Sequence, residues 1–321
     1  MSEEKMLSVI VPVYNVETFL PESLDSLVKV RLDRPYEIIV VDDGSADGSL
    51  GILQAYEEEN DNIRVISREN GGVSRARNTG IEAARGKYIT FADGDDFVEP
   101  DFYQAAIREL ETGKYDLVQG NARYILDGKL NAVYPGCGRK ESADPGEQME
   151  WFFGREEILT FSVWNKVFRR ELIGDIRFAP GVRVAEDQKF LFDVLRKNPR
   201  VLVLDTDAYN YVIRETSVMH SRYAELGWEA LDVLEACEKE TEDPQIRKHI
   251  RKRKTDVLVR IYNTAKMNGK DTEKALKAIR ETDVSTLQGE LTRKEQVKLE
   301  LLQKCVPAYD ILLKIAGTAV R

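Results

Sequence analysis

Two short stretches decide the fold: VIVPVYN at residues 9–15 and IVVDDGS at residues 39–45. Each begins with a run of apolar residues, mostly β-branched, without the polar alternation of a half-exposed strand. That pattern is typical of strands buried on both faces. Each run then ends abruptly in polar side chains. The two stretches therefore predict buried parallel strands with polar groups at their carboxyl ends.

The chain around these strands alternates between strand and helix patterns. Apolar residues at helical spacing over residues 17–30 separate the two runs, and further helices are predicted at 48–59 and 74–84. Strands are predicted at 63–66 and 87–91. This alternation predicts an α/β fold, with a mostly parallel sheet flanked by helices. Such sheets bind ligands beyond the carboxyl ends of their strands.

The second half of the chain has weaker strand signals. Residues 120–150 are rich in Gly and Pro and are predicted to form a loop. A helix at 185–196 and a strand at 201–204 follow. From about residue 226 only amphipathic helices are predicted, and the last, at about 294–320, has a broad apolar face. That face either packs against protein or docks on a membrane.

The charge distribution indicates a molecule of two parts. The formal net charge is −9, yet residues 245–321 hold 18 Lys and Arg against 9 Asp and Glu. We expect an α/β domain over residues 1–220 and a helical region over residues 221–321. The basic region, with His249 on its solvated face, is either ordinary surface or a face for an acidic partner such as anionic lipid. It lacks interleaved aromatic residues, so nucleic acid is not an expected partner.

Composition excludes several classes of protein. The 321 residues are 42% hydrophobic and 32% charged, which excludes a disordered or fibrous chain. No apolar run approaches the ~20 residues of a membrane-spanning helix, and the amino terminus does not resemble a secretory signal. The 3 cysteines are far apart and fit neither a disulfide framework nor a zinc site. We expect a cytoplasmic protein, free or peripheral at the inner face of the cell membrane.

Three polar segments carry candidate chemistry. The DGDD sequence at residues 93–96 places three carboxylates together, which suits Mg²⁺ or Mn²⁺ or else forms an acidic turn. Residues 42–45 offer carboxylates to a ribose or base edge, or form a strand-to-helix turn. Residues 70–78 open a helix whose amino terminus suits an anion. There Arg75 and Arg77 contact phosphate or nearby carboxylates, or are solvated.

Taken in order, these segments closely resemble the GT-A nucleotide-binding domain of glycosyltransferase family 2. The resemblance covers residues 6 to about 110 and includes Arg77-Asn78 and Gly80. The family's acidic cluster usually has serine as its second residue, where this chain has Gly94, but the carboxylate positions are intact. Later motifs resemble those of bacterial members that build capsular, teichoic or lipid-linked glycans: Trp164-Asn165-Lys166, Glu186-Asp187-Gln188, and Tyr209-x-Tyr211 with Arg214 to His220.

The resemblance implies a nucleotide-sugar donor, most simply a UDP-sugar, and a Mg²⁺ or Mn²⁺ cofactor. Asp43 would accept a hydrogen bond from the uracil ring, and Asp95 would bind the metal with His220 as a second candidate ligand. Asp93 would contact the ribose, and Asp96 would orient the donor sugar. The complete expected donor-binding set is Pro12, Tyr14, Asp42, Asp43, Arg77, Asp93, Asp96 and Arg214, with Tyr14 against the base and Asp42 and Arg77 supporting its pocket.

The resemblance also implies a catalytic base at Asp187, with its neighbour Glu186 as the second candidate. A carboxylate must take the proton from the acceptor hydroxyl as that oxygen attacks the anomeric carbon. No motif supplies a separate nucleophile for a double displacement, so an inverting reaction is expected. The alternative for both residues is a structural one, as acidic residues in the first turn of a helix.

The expected function is therefore an inverting, metal-dependent transfer of a sugar to a hydroxyl of a cell-surface glycan or a lipid-linked oligosaccharide. The alternative is a non-catalytic subunit that binds nucleotide or a partner in a polysaccharide-assembly complex. A nucleotidyltransferase would need a glycine-rich loop where this chain has residues 12–15. Trp164 and Asn165 either meet the acceptor or form a buried Trp with a capping Asn. The carboxyl-terminal helices are candidates for contact with a membrane or with a second subunit.

Overall fold

The computed structural model describes residues 5–214 and 223–318. The chain divides into two compact units. An α/β unit contains the residues up to 214 except 153–155, and a helical unit contains 153–155 and the residues from 223 onward. The expected domain boundary at residue 220 lies outside the described residues.

The α/β unit is a ten-stranded sheet with helices between its strands. Its strands are β1 Leu7–Val13, β2 Tyr36–Asp42, β3 Ile63–Ser67, β4 Tyr88–Phe91, β5 Phe97–Val98, β6 Leu117–Leu126, β7 Lys129–Tyr134, β8 Lys140–Ser142, β9 Lys166–Arg169 and β10 Val201–Ile213. Its helices are α1 Leu20–Val28, α2 Ser49–Glu59, α3 Val73–Ala83, α4 Phe102–Glu111, α5 Pro145–Phe153, α6 Arg170–Ile173 and α7 Glu186–Leu195.

The sheet has the order β3-β2-β1-β4-β9-β6-β10-β5, with β7 paired to β6 and β8 to β10. The first four strands of this order are parallel. Strand β1 pairs on both sides, so that Val9 lies opposite Ile38 of β2 and opposite Thr90 of β4. Strand β9 runs antiparallel to both β4 and β6. The predicted α/β class is confirmed, and the apolar runs predicted the first block of parallel strands. A second parallel pair, β6 with β10, lies on the other side of β9.

Burial explains why the first strands form. Every residue of β1 except Pro12 is buried, and the side chains of Leu20, Leu24 and Leu27 from α1 lie in the same core. Helix α3 approaches β1 closely at Gly80, where an added Cβ would lie 2.3 Å from Ile10 Cγ2. Only glycine allows this approach, and it fixes α3 against the strand.

Residues 120–150 are more ordered than their composition predicted. Strand β6 continues to Leu126 and pairs with β7 through a hairpin, and β8 and α5 follow. The Gly residues at 128, 136 and 138 have positive φ and lie in the turns between these elements. The prediction of a loop was therefore wrong, because it took turn residues for a continuous irregular segment.

The helical unit contains α8 Tyr223–Glu240, α9 Pro244–Met267, α10 Glu273–Glu281, α11 Arg293–Lys304 and α12 Val306–Thr318, with a 3₁₀ turn at Val284–Leu287. Helix α9 begins where Asp243 accepts hydrogen bonds from two backbone amides, with Pro244 at the first helical position. The single helix predicted at about 294–320 is two helices, which meet at Cys305. Leu302 and Tyr309 from these helices lie in the core of this unit.

His249 is not on a solvated face, as the basic sequence around it suggested. It is 3% exposed, and its Nδ1 lies 2.8 Å from Glu290 Oε2. The prediction was wrong because the ring is buried against Glu290, although the sequence around it is basic. Among the helices in the described part of the chain, none combines the length and the apolar character needed to cross a bilayer.

Candidate active site

The polar segments predicted from sequence come together at one edge of the sheet. Tyr14 and Asn15 follow β1, Asp43 follows β2, and residues 93–96 follow β4. Because β1, β2 and β4 are parallel, their carboxyl ends share this edge. The Asp43 amide donates to the carbonyl of Val13 at 2.8 Å, which joins the first two segments. Pro12 lies one residue before the end of β1, and the Tyr14 side chain is 51% exposed.

Asp42 and Asp43 hold the loop between β3 and α3. Asp43 is buried, and one of its carboxylate oxygens accepts from the Gly72 amide at 2.7 Å, while both accept from the Gly71 amide. The Asp42 carboxylate accepts from the Ser45 amide and from the Ser67 hydroxyl, each at 3.2 Å. Both carboxylates therefore bind backbone or hydroxyl donors of this edge, where a nucleobase would lie under the expected roles.

Arg68 is a further charged residue of this edge that the sequence reasoning missed. Its Nη1 lies 3.4 Å from Asp43 Oδ1, and this buried nitrogen has no hydrogen-bond partner among residues 5–214 and 223–318. The position directly after β3 was the signal that could have identified it, since polar residues there face the same edge as Asp43.

Arg77 joins two acidic segments that are far apart in sequence. Its side chain is 4% exposed, and its Nη2 donates to Asp93 Oδ1 at 2.9 Å. Its Nη1 donates to Asp187 Oδ1 at 2.6 Å and to Glu186 Oε1 at 2.9 Å. We call these four residues the Arg77 cluster. Of the expectations for Arg77, contact with nearby carboxylates agrees with the structure. Its expected place beside Asp42 in the base pocket does not, since it lies between the acidic segment after β4 and the start of α7.

The charges of the Arg77 cluster shift the pKa values of Arg77 and Asp187. Burial alone would lower the pKa of Arg77, but the carboxylates of Asp187, Asp93 and Glu186 outweigh it and raise that pKa. Burial raises the pKa of Asp187 to about 7, aided by repulsion from Glu186 and Asp93 and opposed by Arg77. Asp187 is therefore a carboxyl group that exchanges its proton near neutral pH. Such a group is suited to general acid–base chemistry.

The backbone before these acids adopts an uncommon conformation. Ala185 precedes helix α7 with φ of 67°, in the left-handed region that residues other than Gly, Asn and Asp rarely adopt. This turn places Glu186 and Asp187 at the first positions of the helix. Strained residues of this kind concentrate at functional sites.

The acidic segment at residues 93–96 is held by β10 and by Arg214. Asp96 Oδ1 accepts from the Val212 amide at 2.9 Å. Arg214 Nη1 donates to Asp95 Oδ2 at 3.0 Å, its Nη2 donates to the Asp95 carbonyl, and its guanidinium lies over the Phe19 ring. Burial, and then the neighbouring carboxylates, raise the pKa of Asp95 and raise that of Asp96 well above its usual value.

The residues of this segment fit a hard divalent cation. The Asp95 side chain is 38% exposed, and burial first, then the neighbouring Asp93 carboxylate, raise its pKa against the opposing effect of Arg214. Within residues 5–214 and 223–318, no three Asp, Glu, His or Cys side chains form a ready-made metal cage. A Mg²⁺ or Mn²⁺ ion here would need oxygen ligands from the substrate as well, as such ions commonly use. His220 lies outside the described residues.

Trp164, Asn165 and Lys166 are all buried. The Trp164 ring stacks on Tyr209 at a centroid distance of 4.2 Å, and the Tyr209 hydroxyl accepts from the Asp93 amide at 2.9 Å. Asn165 Nδ2 donates to the Gly120 carbonyl at 2.8 Å. Of the two alternatives for this motif, the buried one agrees with the structure.

Comparison with known proteins identifies relatives of this chain. A family model described as glycosyl transferase family 2 matches residues 8–177. The uncharacterized glycosyltransferase EpsJ of Bacillus subtilis is 38% identical over 209 residues, which are 64% of this chain and 60% of that protein. The chain thus spans less than two thirds of this relative. The poly(ribitol-phosphate) beta-N-acetylglucosaminyltransferase TarS of Staphylococcus aureus is 30% identical over 221 residues, 67% of this chain and 37% of that protein.

Solved structures show the same fold. The crystal structure of TarS residues 1–349 in complex with UDP-GlcNAc aligns with a TM-score of 0.67 at 22% identity, covering 98% of this chain and 92% of that chain. The mannosyltransferase PcManGT from Pyrobaculum calidifontis, in complex with GDP-Man and Mn²⁺, aligns with a TM-score of 0.59 at 16% identity, covering 98% and 87%. The GT-A fold expected from the sequence is confirmed by these likenesses.

Proposed function

The chain belongs to glycosyltransferase family 2, and from that premise we propose that it is an inverting, metal-dependent transferase. Its donor would be a nucleoside-diphosphate sugar, most simply a UDP-sugar. Its acceptor would be a hydroxyl of a cell-surface glycan or of a lipid-linked oligosaccharide. Asp187 would be its catalytic base.

The single observation that carries this proposal is the Arg77 cluster. Arg77 connects Asp187, whose pKa is raised to about 7, with Asp93 of the segment expected to hold the donor. Because both carboxylates bind the guanidinium of Arg77, it would hold the base Asp187 at a fixed distance from the donor-binding Asp93. Such preorganisation of reacting groups is worth a large part of an enzyme's rate enhancement.

The proposed reaction is one displacement. The acceptor hydroxyl gives its proton to the Asp187 carboxylate while its oxygen forms a bond to the anomeric carbon. The bond between that carbon and the diphosphate oxygen breaks, and the nucleoside diphosphate leaves with the electron pair. Attack from the face opposite the leaving group inverts the anomeric centre. Glu186 would keep Arg77 in place while Asp187 gains its proton.

The donor site would use the sheet edge at Tyr14, Asp43 and Asp95. Asp43 is fixed by the Gly71 and Gly72 amides, which supports a rigid contact to a base edge. A divalent cation held by Asp95 would stabilise negative charge on the departing diphosphate. The complexes of TarS with UDP-GlcNAc and of PcManGT with GDP-Man and Mn²⁺ support a nucleotide-sugar donor. Because one holds a uridine and the other a guanosine nucleotide, the nucleoside of the donor is the property to test.

Calorimetric titration with UDP, with and without Mn²⁺, tests the donor site directly, with GDP and dTDP as comparators. We expect UDP to bind more tightly than the other two and to gain affinity with Mn²⁺. Asp95→Ala should remove the gain from Mn²⁺. If no nucleotide binds under any condition, the catalytic proposal fails and the partner-binding subunit becomes the better description.

A further inference from the structure

A buried lysine lies beside the proposed base without a role in the reaction described so far. Lys166, the first residue of β9, is 1% exposed. Its Nζ lies 2.9 Å from the Thr160 carbonyl, 2.6 Å from Thr160 Oγ1, 2.6 Å from the Ser162 carbonyl and 3.0 Å from Asn165 Oδ1. All four oxygens are acceptors within reach of the three N–H donors of an ammonium, so these surroundings suit the ammonium form of the lysine.

These contacts hold the loop that touches Asp187. The loop of residues 160–163 leads directly to the Val163 amide, which donates to Asp187 Oδ2 at 3.3 Å. The opposite carboxylate oxygen, Oδ1, binds Arg77. The orientation of the carboxylate therefore depends on Arg77 from one side and on the 160–163 loop from the other.

The loop is attached to the sheet as well as to the lysine. Gln119 of β6 accepts from the Thr160 amide at 2.9 Å through its Oε1 and donates to the Ile158 carbonyl at 2.7 Å through its Nε2. Lys166 is the one charged side chain among these contacts, and hydrogen bonds from a charged donor are about twice as strong as neutral ones. A charge in this position has a larger effect on the loop than any single neutral contact.

We propose that Lys166 is a positioning residue for the base: its ammonium gathers the carbonyls of Thr160 and Ser162 so that the Val163 amide orients the Asp187 carboxylate. This inference rests on the proposed function of Asp187. It assigns to the buried motif at residues 164–166 a role in aligning the base, and no contact with the acceptor.

Burial works against the ammonium form of Lys166, whereas the four oxygen neighbours and the Asp187 carboxylate favour it. Burial lowers the pKa of Lys166 well below its usual value, and the carboxylate of Asp187 opposes that effect. The charged groups that act on Asp187 are Arg77, Glu186 and Asp93 within the cluster, with Lys166 on the side of the loop. Loss of the lysine removes a positive charge and loosens the Val163 hydrogen bond. Both changes disfavour the ionised carboxylate and raise the pKa of Asp187.

The test replaces Lys166 with methionine, which keeps the length of the side chain and removes its charge. We expect kcat for UDP-sugar turnover to fall about 10- to 100-fold, as misplacement of a reacting group by about 1 Å does. The KM for the donor and the calorimetric affinity for UDP should stay at wild-type values. The midpoint of the acid limb of kcat should move to higher pH. Lys197→Met is the matched control, since Lys197 also binds two backbone carbonyls but on the surface, away from Asp187.

A second readout needs no turnover. The gain in stability from Asp187→Asn depends on the pKa of Asp187, so it should be larger at pH 8 in the Lys166→Met background than in the wild type. If that coupling appears but no sugar nucleotide is turned over, Lys166 orients the Asp187 carboxylate as inferred, and it is the proposed function of that carboxylate as a base that fails. If wild-type protein is active and Lys166→Met changes neither the acid limb nor the coupling, the inference is overturned. Should Lys166→Met not fold, Thr160→Ala removes one of the four acceptors and should give smaller shifts in the same directions.

Discussion

Replacing Asp187 with asparagine is expected to remove activity and to stabilise the protein at the same time. In the folded protein the pKa of this carboxyl is raised from 3.8 to about 7. Ionisation in the folded state is therefore disfavoured relative to the unfolded chain, by about 4 kcal/mol at most. Asparagine cannot ionise and keeps the size of the side chain, so it removes this penalty. Arg77 keeps Asp93 and Glu186 as partners in the variant.

The pH dependence gives the prediction its sign. Below about pH 4 the carboxyl group is protonated in both states, and the penalty is absent. Between pH 4 and pH 7 the unfolded chain ionises first, so the wild type loses stability relative to the variant. Above pH 7 the full penalty applies. Asparagine has one side-chain oxygen, so either the Val163 N–H or Arg77 loses its acceptor. This loss lowers the stability gained by the variant by about 1–3 kcal/mol.

Thermal unfolding between pH 4 and pH 8 measures this difference, together with UDP release from a UDP-sugar. We expect a Tm several degrees above wild type at pH 8, at about 2–4 °C per kcal/mol for a domain of this size. At pH 4 we expect a Tm no higher than wild type, because only the cost of the donor without an acceptor remains there. Turnover should fall about 10²- to 10⁴-fold, the usual contribution of a general base. Asp193→Asn, in the same helix but paired with Lys189, is the control and should change neither quantity. A lower Tm for Asp187→Asn at pH 8, or wild-type turnover, would refute the reasoning.

Three further predictions follow from single contacts. Asp43→Ala should weaken UDP binding about 10-fold or more in calorimetry, because it removes the expected base contact and frees the Gly71 amide; unchanged affinity would place the base elsewhere. Arg77→Met should lower the free energy of unfolding at pH 7, measured by urea titration, by about 3–5 kcal/mol, because it leaves three carboxylates without their shared cation. A loss below about 1 kcal/mol would contradict the charge balance described for the Arg77 cluster. Gly80→Ala should lower the free energy of unfolding by about 1–3 kcal/mol, because its Cβ would overlap with Ile10. Gly51→Ala is the control: this helical position has open space around it, so alanine should raise the free energy of unfolding by up to about 1 kcal/mol. Equal effects of the two substitutions would show that the close approach of α3 to β1 does not limit the residue at position 80.

The first part of the fold was predictable because local sequence and tertiary structure agree there. The apolar runs that form β1 and β2 are uninterrupted and mostly β-branched, which favours buried strands over other secondary structure. The polar residues at their ends mark the edge of the sheet. The hairpin of β6 and β7 was not predictable in this way. Its strand β7 is exposed at every residue except the half-buried Tyr134, so its pairing depends on β6 and not on burial of its own side chains.

The site was predictable in its membership and less so in its contacts. Sequence order identified the acidic groups, but it could not show that Arg77 bridges Asp93 and Asp187, because that contact spans 110 positions. The environment of Lys166 was hidden for the same reason, since a lysine in a sequence is most often a solvated residue. His249 was misjudged because its burial depends on Glu290, 41 residues further along the chain.

The most direct test of the central claim is a screen of UDP-sugars for UDP release in the presence of Mn²⁺, with the rate followed from pH 5 to pH 9. We expect release from at least one UDP-sugar, at a rate that rises through about pH 7 as Asp187 loses its proton, and loss of that release in Asp187→Asn. Absence of turnover with every sugar nucleotide, or a rate that is independent of Asp187, would contradict it.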